Sequence, residues 1–263
     1  MILILFLLCF GVFSCSSYFG QKFQVYVDTD NMQLVQLDEP EPDAPAMCVH
    51  TTAGDIVAEL YPDEAPDYVA QFTKLAESGY YDNTYIFSWR TGLRFGWLGS
   101  EPNRGPAHWT AGTDDTYEKV ERETSANLWP LRGAFCAPGT SQDGTFWDRL
   151  TGNVKNYCGT RFVVCNSIVF DDSTKQEMQS LSQNAKEISD AFLEKGGIPN
   201  YSQQMTIFAQ AFGDESFDTI DTIVHAKTKA AESEGGNTPP ADSIQILSIQ
   251  IGSYSDFADT AAN

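Results

Sequence analysis

Two strand-like segments joined by a tight turn constrain the fold of this chain more than any other feature. Residues 47–52 and 56–61 carry strand patterns, the second with clear alternation of apolar and polar side chains, and Ala53-Gly54-Asp55 lies between them. This arrangement predicts a β-hairpin. A helix is expected next, because apolar residues recur at helical spacing on one face: Tyr68, Val69, Phe72, Leu75 and Ala76. Asp63 or Asp67 is expected to cap its start.

The rest of the chain continues as strands with long loops between them and with two further helices. The second helix is predicted over residues 173–195, where Ser173 and Gln176 form a capping box and Gly196-Gly197 ends the apolar stripe. Aromatic or apolar runs predict the remaining strands at residues 84–98, 161–165, 205–212 and 244–251, and a third helix at residues 217–229.

The charge balance excludes some partners. The chain has 36 acidic and 16 basic residues, which gives a formal net charge of −20. Such a field repels nucleic-acid phosphates and anionic lipid headgroups. We therefore expect no nucleic-acid partner. Hydrophobic residues make up 42% of the chain, which is enough for a packed core.

The N-terminal segment predicts a location outside the cytosol. Residues 1–13 are uncharged and almost wholly apolar, small residues follow at 14–17, and this run is too short for an ordinary membrane span. Three interpretations stay open: a cleaved secretory signal, a retained membrane anchor, or a lipoprotein lipidated at Cys15. Each places the folded part on the secretory, periplasmic or organelle-lumenal side of a membrane, and the second attaches the chain through residues 1–20.

An acidic, proline-rich stretch suggests the domain boundaries. Residues 38–45 read Asp-Glu-Pro-Glu-Pro-Asp-Ala-Pro, a composition typical of a stiff spacer. The predicted organisation is an apolar signal or anchor at 1–20, an extension and linker at 21–46, a folded domain at 47–252 and a C-terminal tail at 253–263.

Cysteines and histidines give no recognisable metal motif. There is no CxxC pair, and His50, His108 and His225 are scattered. The sequence therefore predicts no metal site and no cofactor. It leaves the disulfide state open for four cysteines: Cys48, Cys136, Cys158 and Cys165.

The order and spacing of several short motifs resemble those of the cyclophilins. The hairpin with its Thr-x-x-Gly start, Gln71-Phe72 and Gly79-Tyr80-Tyr81 match the beginning of that family's pattern. Later matches are Arg132-Gly133-Ala134-Phe135, Gly159 to Val164, Ile207-Phe208-Ala209, Phe217 to Ile223 and Ile244 to Ile251. The resemblance implies a mainly β fold with helices: a closed eight-stranded β-barrel capped by helices, here with one inserted helix at 173–195. It also implies peptidyl-prolyl cis-trans isomerisation.

In this resemblance, other residue types occupy most of the family's usual catalytic positions. Ser88 stands where the family has its catalytic arginine, and Gly96 stands at the glutamine position. Arg90 is a candidate substitute, because residues two apart on a strand share a face. In a second alignment, Arg94-Phe95-Gly96 takes the place of a Gln-Phe-Gly and Ile86 occupies the arginine position. The residues expected to line the substrate groove are Leu93, Arg94, Phe95, Phe162, Val163, Met205 and Phe208.

Three functions fit this pattern. Two are non-catalytic: a domain that binds proline-containing protein segments, and a structural subunit of a membrane protein complex. The third is an active secreted or membrane-attached isomerase that assists protein folding. The replaced groove residues favour the two non-catalytic hypotheses, with weak isomerisation or none.

Overall fold

The computed structural model describes residues 31–89, 96–98, 118–141, 155–181, 183–226 and 242–261. The apolar segment 1–20 lies outside these residues. Among the described residues, no helix has the length and apolar character needed to cross a membrane.

The described elements follow the predicted order of strands and helices. The strands are β1 (Pro45–Thr51), β2 (Gly54–Leu60), β3 (Thr84–Trp89), β4 (Gly96–Leu98), β5 (Val120–Glu121), β6 (Ala134–Ser141), β7 (Asn156–Cys158), β8 (Phe162–Val164), β9 (Met205–Ala211) and β10 (Gln245–Ser253). The helices are α1 (Pro66–Glu77), α2 (Asp172–Gln179), α3 (Gln183–Lys195), α4 (Asp214–His225) and α5 (Tyr254–Ala261). Two short 3-10 turns occur at Val35–Leu37 and Pro199–Tyr201.

Eight of the described strands form a closed ring of antiparallel pairs. The order is β6-β8-β4-β3-β10-β1-β2-β9, and β9 pairs back with β6. The short strands β5 and β7 extend from β6 as a side ladder. Closure leaves no unpaired edge within the ring. The predicted eight-stranded barrel is therefore confirmed.

Aromatic rings fill the barrel interior. The Phe208 ring lies 4.9 Å from both the Tyr68 and the Phe72 ring of α1, and the Phe72 ring lies 5.6 Å from that of Phe162. All four side chains are fully buried. Burial of each such ring stabilises the fold by roughly 1.5–3 kcal/mol. The apolar stripe of α1 therefore packs against the strands as the sequence pattern predicted.

The extension before the barrel is bound to the barrel through a buried polar network. Gln36 Nε2 donates to Gln210 Oε1 at 2.8 Å, and Gln36 Oε1 accepts from the Trp129 amide at 2.6 Å. The linker behind it is not free either, because Pro42 and Ala44 carbonyls accept hydrogen bonds from the first amides of α5. Residues predicted as a spacer thus pack on the domain, and most of the predicted tail is helix α5.

The insert between β8 and β9 forms two helices where the sequence predicts one over 173–195. α2 ends at Gln179, and the Ser180 hydroxyl bonds to the Glu177 carbonyl. Serine competes in this way for the carbonyls that would continue a helix. The cap of α2 is Asp171, whose carboxylate accepts from the Thr174 amide at 2.7 Å, and not Ser173. The two helices pack together through a small apolar cluster: Leu34, Trp129, Leu131, Met178, Ile188, Ala191 and Phe192.

Candidate functional site

One row of paired residues crosses five strands at the place where the sequence predicts the substrate groove. Ser88 of β3 pairs with Trp97 of β4, and Trp97 pairs with Val163 of β8. Val163 pairs with Cys136 of β6, and Cys136 pairs with Ile207 of β9. The backbone register therefore aligns the predicted arginine position with the predicted pocket position Val163.

The last three members of this row belong to an apolar cluster on the outside of the barrel, which we call the outer wall. Its buried members are Tyr61, Leu128, Ala134, Cys136, Val163, Cys165, Ile198 and Ile207. Val163 has no exposed surface, and Met205 packs against the wall as a half-buried side chain. These two predicted groove residues are brought together, but Val163 is not presented to solvent.

Segments outside the barrel strands contribute to this wall. Ile198 comes from the end of the insert, Tyr201 from the 3-10 turn after it, and Val35 from the N-terminal extension. The sequence interpretation did not assign these residues to the site. Their only signal is apolar character within polar segments, which does not reveal the surface that they cover.

Phe162 and Phe208 lie on the inner side of the barrel, which does not fit the predicted role in the groove. Both are fully buried in the core around Phe72. Side chains alternate between the two faces of a strand, so Phe162 points inward where its neighbour Val163 points outward. These two phenylalanines lie in the barrel core, on the opposite face of the sheet from the outer wall.

The structure also bears on the choice between the two alignments. Ile86, the arginine position of the second alignment, is buried in the barrel core. A residue there cannot contact a peptide on the outer surface. The register in which Ser88 takes the arginine position is therefore favoured.

Four predicted site residues lie outside the described residues: Arg90, Leu93, Arg94 and Phe95. Their roles stay predictions. For Ser88 only the backbone pairing is described.

Two sulfur atoms lie in contact within the wall. Cys136 Sγ and Cys165 Sγ are 3.5 Å apart, and both residues are fully buried free thiols. The hydrogen bond between them, together with burial, raises the pKa of the Cys136 thiol well above its usual value. A protonated, inaccessible thiol is a poor nucleophile. The pair thus contributes packing rather than covalent chemistry.

The chemistry available to the row follows from its residue types. Prolyl isomerisation requires weakening of the amide resonance, whose barrier is about 20 kcal/mol. It needs neither a nucleophile nor a metal, but it benefits from a charged donor beside the prolyl amide. The row Ser88, Trp97, Val163, Cys136 and Ile207 contains no charged side chain. Arg161 is half-buried and immediately precedes β8.

Comparison with protein families gives one match that spans most of the chain. The model described as "Cyclophilin type peptidyl-prolyl cis-trans isomerase/CLD" matches residues 46–251.

Curated relatives are similar over the same region. A Streptococcus pyogenes protein named for phosphatase and peptidyl-prolyl cis-trans isomerase functions is 28% identical over 222 residues, which cover 84% of this chain and 41% of that protein. The Neurospora crassa peptidyl-prolyl isomerase cwc-27 is 29% identical over 217 residues, which cover 81% of this chain and 34% of that protein. The chain thus spans less than half the length of either relative.

Among solved structures, a crystal structure of a Cryptosporidium parvum cyclophilin type peptidyl-prolyl cis-trans isomerase is similar with a TM-score of 0.52 at 18% identity. The match covers 79% of this chain and 99% of that chain, which was crystallised in the presence of the dipeptide Ala-Pro. At this identity the likeness shows the fold.

Proposed function

Since the chain belongs to the family of cyclophilin-type peptidyl-prolyl cis-trans isomerases, we propose that it binds proline-containing protein segments and isomerises prolyl bonds weakly or not at all. In this proposal the barrel is kept as a protein-binding or structural scaffold.

The observation that carries the proposal is the composition of the paired row. Ser88 occupies the position that aligns with Val163 across the sheet, and serine offers a neutral hydroxyl where a guanidinium is expected. A neutral donor stabilises developing charge much less than a cationic one. Val163 is itself covered by the protein's own chain, so a proline ring cannot use that position without displacing it.

A shared fold does not settle the activity. The names of the relatives from Streptococcus pyogenes and Neurospora crassa both include isomerase activity. They support the competing proposal, an active isomerase in which Arg90 replaces the missing guanidinium. The two proposals differ in the rate that the purified protein produces.

Location and partners form the second part of the proposal. The apolar run at residues 1–20 supports a place outside the cytosol, either after cleavage or with the run kept as an anchor. A retained anchor would allow the barrel to serve as a subunit of a membrane protein complex. Fractionation of cells that produce the full chain tests this: we expect the folded domain in the exported or membrane fraction. Recovery as a soluble cytosolic monomer would contradict it.

Isomerase activity is tested with an Ala-Pro peptide and a catalytically competent cyclophilin assayed in parallel. Loss of one hydrogen-bond donor that stabilises the transition state lowers kcat by about 10²–10³-fold in enzymes of known mechanism. We expect kcat/KM at least about 100-fold below that of the reference enzyme. A rate close to the reference that falls on Arg90→Ala, with Lys186→Ala as a control for a change in surface charge, would establish the competing proposal.

Binding is tested separately from turnover. Titration with the same peptide, followed by NMR, is expected to shift the resonances of Met205 and its neighbours. A matched peptide with alanine in place of proline is expected to leave them unchanged. The absence of binding by either peptide would remove the peptide-binding part of the proposal.

A further inference from the structure

Three potential metal ligands converge on the outer face of the β1–β2 hairpin, on strands that carry none of the paired row. The Nδ1 atom of His50 lies 2.9 Å from Oδ1 of Asp55 and 3.8 Å from Sγ of Cys48. All three donor atoms lie within 4.8 Å of one another. The set combines a thiol, an imidazole and a carboxylate.

The hairpin geometry fixes this convergence. Cys48 and His50 are two apart on β1 and therefore share a face, and His50 pairs directly with Asp55 on β2. The turn that joins the strands is closed by the Thr51 hydroxyl, which donates to the Gly54 carbonyl at 2.6 Å and accepts from the Ala53 amide at 3.0 Å. The donors thus stand on a rigid element, as a preorganised site requires.

The arrangement differs from that of a nucleophilic triad. In a triad, one imidazole nitrogen faces the nucleophile and the other faces the carboxylate. Here Nδ1 faces both Cys48 and Asp55, while Nε2 is buried without a hydrogen-bond partner. Three ligand atoms this close to one another, with one nitrogen shared by the other two, suit coordination of a single ion better than proton relay between two atoms.

The distances have the scale of a tetrahedral zinc site. Zn²⁺ with ordinary bond lengths holds a sulfur and a nitrogen ligand about 3.6 Å apart, and a nitrogen and an oxygen ligand about 3.4 Å apart. The corresponding separations here are 3.8 Å and 2.9 Å. Small side-chain rotations that move the donor atoms by a few tenths of an ångström bring them to those separations.

Charge and access are consistent with an ion at this place. A thiolate and a carboxylate carry two negative charges, which a divalent cation neutralises, so the loaded site has no net charge to bury. Cys48 is fully buried against Ala46, Val57 and Phe257, whereas the side chains of His50 and Asp55 keep 27% and 36% of their surface exposed. An ion can therefore enter from solvent on the side of His50 and Asp55, while Cys48 on the other side is packed in an apolar environment.

The donor set selects the class of metal. Ca²⁺ and Mg²⁺ prefer oxygen ligands, whereas sulfur with nitrogen suits zinc and its neighbours. We propose that Cys48, His50 and Asp55 bind a divalent transition-metal ion, represented by Zn²⁺, with the fourth coordination position open to water. This differs from the sequence-based expectation of no metal, and it is independent of the proposed peptide groove.

The test uses the full chain, untagged, reduced and freed of metal with a chelator. Titration with Zn²⁺ against a chromophoric competitor is expected to show one tight site per chain. Cys48→Ala, His50→Ala and Asp55→Asn are each expected to weaken this site at least tenfold. Cys158→Ala, His225→Ala and Asp82→Asn change the same residue types elsewhere and are expected to leave it unchanged.

A spectroscopic readout separates a ligand role from a structural one. Co²⁺ in place of Zn²⁺ is expected to give a thiolate-to-metal charge-transfer band that Cys48→Ser abolishes while the circular dichroism of the fold is kept. Asparagine has nearly the same shape as aspartate, so Asp55→Asn is the variant with the lowest risk of misfolding. A chain that takes up no Zn²⁺, or one whose uptake the three hairpin variants leave unchanged, would overturn the proposal. Peptide binding at the outer wall is expected to be equal in Asp55→Asn and wild type.

Discussion

The outer wall and the outer face of the hairpin are two parts of the same barrel surface, yet they are covered in opposite ways. The outer-wall residues of β6, β8 and β9 are apolar, and Ile198 of the insert and Val35 of the N-terminal extension pack against them. On β1 and β2 the outward residues next to the turn are polar, and His50 and Asp55 reach solvent there. The inner sides of both regions belong to one continuous core.

This difference shows which parts of a barrel are available for function. Where the protein's own chain covers the wall, as at Val163, that surface is not available to a ligand, whereas Met205 stays half-buried. A hairpin end whose outer face is covered at Cys48, by Phe257 of α5, and is open at His50 and Asp55 can present fixed donors to solvent. Four predictions test the contrast, in order of decreasing effect.

The largest effect is expected from a ring on the inner side of the wall. Phe208→Ala removes a ring packed at 4.9 Å against both Tyr68 and Phe72, and it is expected to lower the free energy of unfolding by about 3–5 kcal/mol. Val163→Ala, on the outer side, removes only two methyl groups and is expected to cost about 2 kcal/mol. Urea unfolding measures both. A small loss for Phe208→Ala, with loss of peptide binding, would place that ring in the groove instead.

Zinc is expected to stabilise the hairpin end. A ligand that binds only the folded state at 100 times its dissociation constant adds about 2.7 kcal/mol to the free energy of unfolding. We expect that increase for the wild type in thermal or urea unfolding, and none for Asp55→Asn. An equal increase in both proteins would mean that the ion binds elsewhere.

The link between the extension and the wall is expected to contribute next. Gln36→Ala leaves the Trp129 amide and the Gln210 side chain without their buried partner, at a cost of about 2 kcal/mol. Gln33→Ala is a matched control, because Gln33 is exposed three residues earlier, and it is expected to change stability by less than about 0.5 kcal/mol. Similar values for both variants would show that the extension is not held by this network.

The smallest effect concerns pH at the hairpin. Burial, and next the charge of Asp55, raise the pKa of the Cys48 thiol from 9.0 to about 12. Between these values the unfolded chain releases the thiol proton while the folded chain keeps it, so stability falls as pH rises. In the metal-free protein the fall is up to about 1.4 kcal/mol per pH unit from this group. Cys48→Ala is expected to lose this part of the slope in urea unfolding at pH 9 to 10.5. An unchanged slope would contradict it.

The sequence was informative wherever a structural unit is local. Alternation in residues 47–61 predicted the hairpin, and it is observed as β1 and β2. The stripe on α1 predicted which side chains enter the core. The register that places Ser88 at the arginine position is favoured over the one that uses Ile86, because Ile86 is buried in the core. Phe162 and Phe208 were assigned to the groove because motif matching does not show which face of a strand a residue takes.

Contacts between distant segments were not predictable in the same way. Asp63 or Asp67 was expected to cap α1, but the Glu123 carboxylate accepts from the Asp67 and Tyr68 amides, at 3.1 and 2.9 Å. Any acceptor that reaches the exposed amides satisfies them, and the fold decides which one does. The division of the predicted helix at Ser180 is a similar case. The Ser189 hydroxyl of α3 donates to the Met178 carbonyl of α2, a contact that forms only once the two helices have separated.

By itself, the sequence determined the eight-stranded barrel and the hairpin that begins it, because periodicity, turn residues and motif spacing are properties of contiguous chain. Only the tertiary structure decided that Val163 is covered. It alone also decided that the donor atoms of Cys48, His50 and Asp55 lie within 4.8 Å of one another. Covering depends on Ile198 and Val35, which lie far from Val163 in sequence. Convergence depends on strand register, which pairs His50 with Asp55 and leaves Cys48 on the same face.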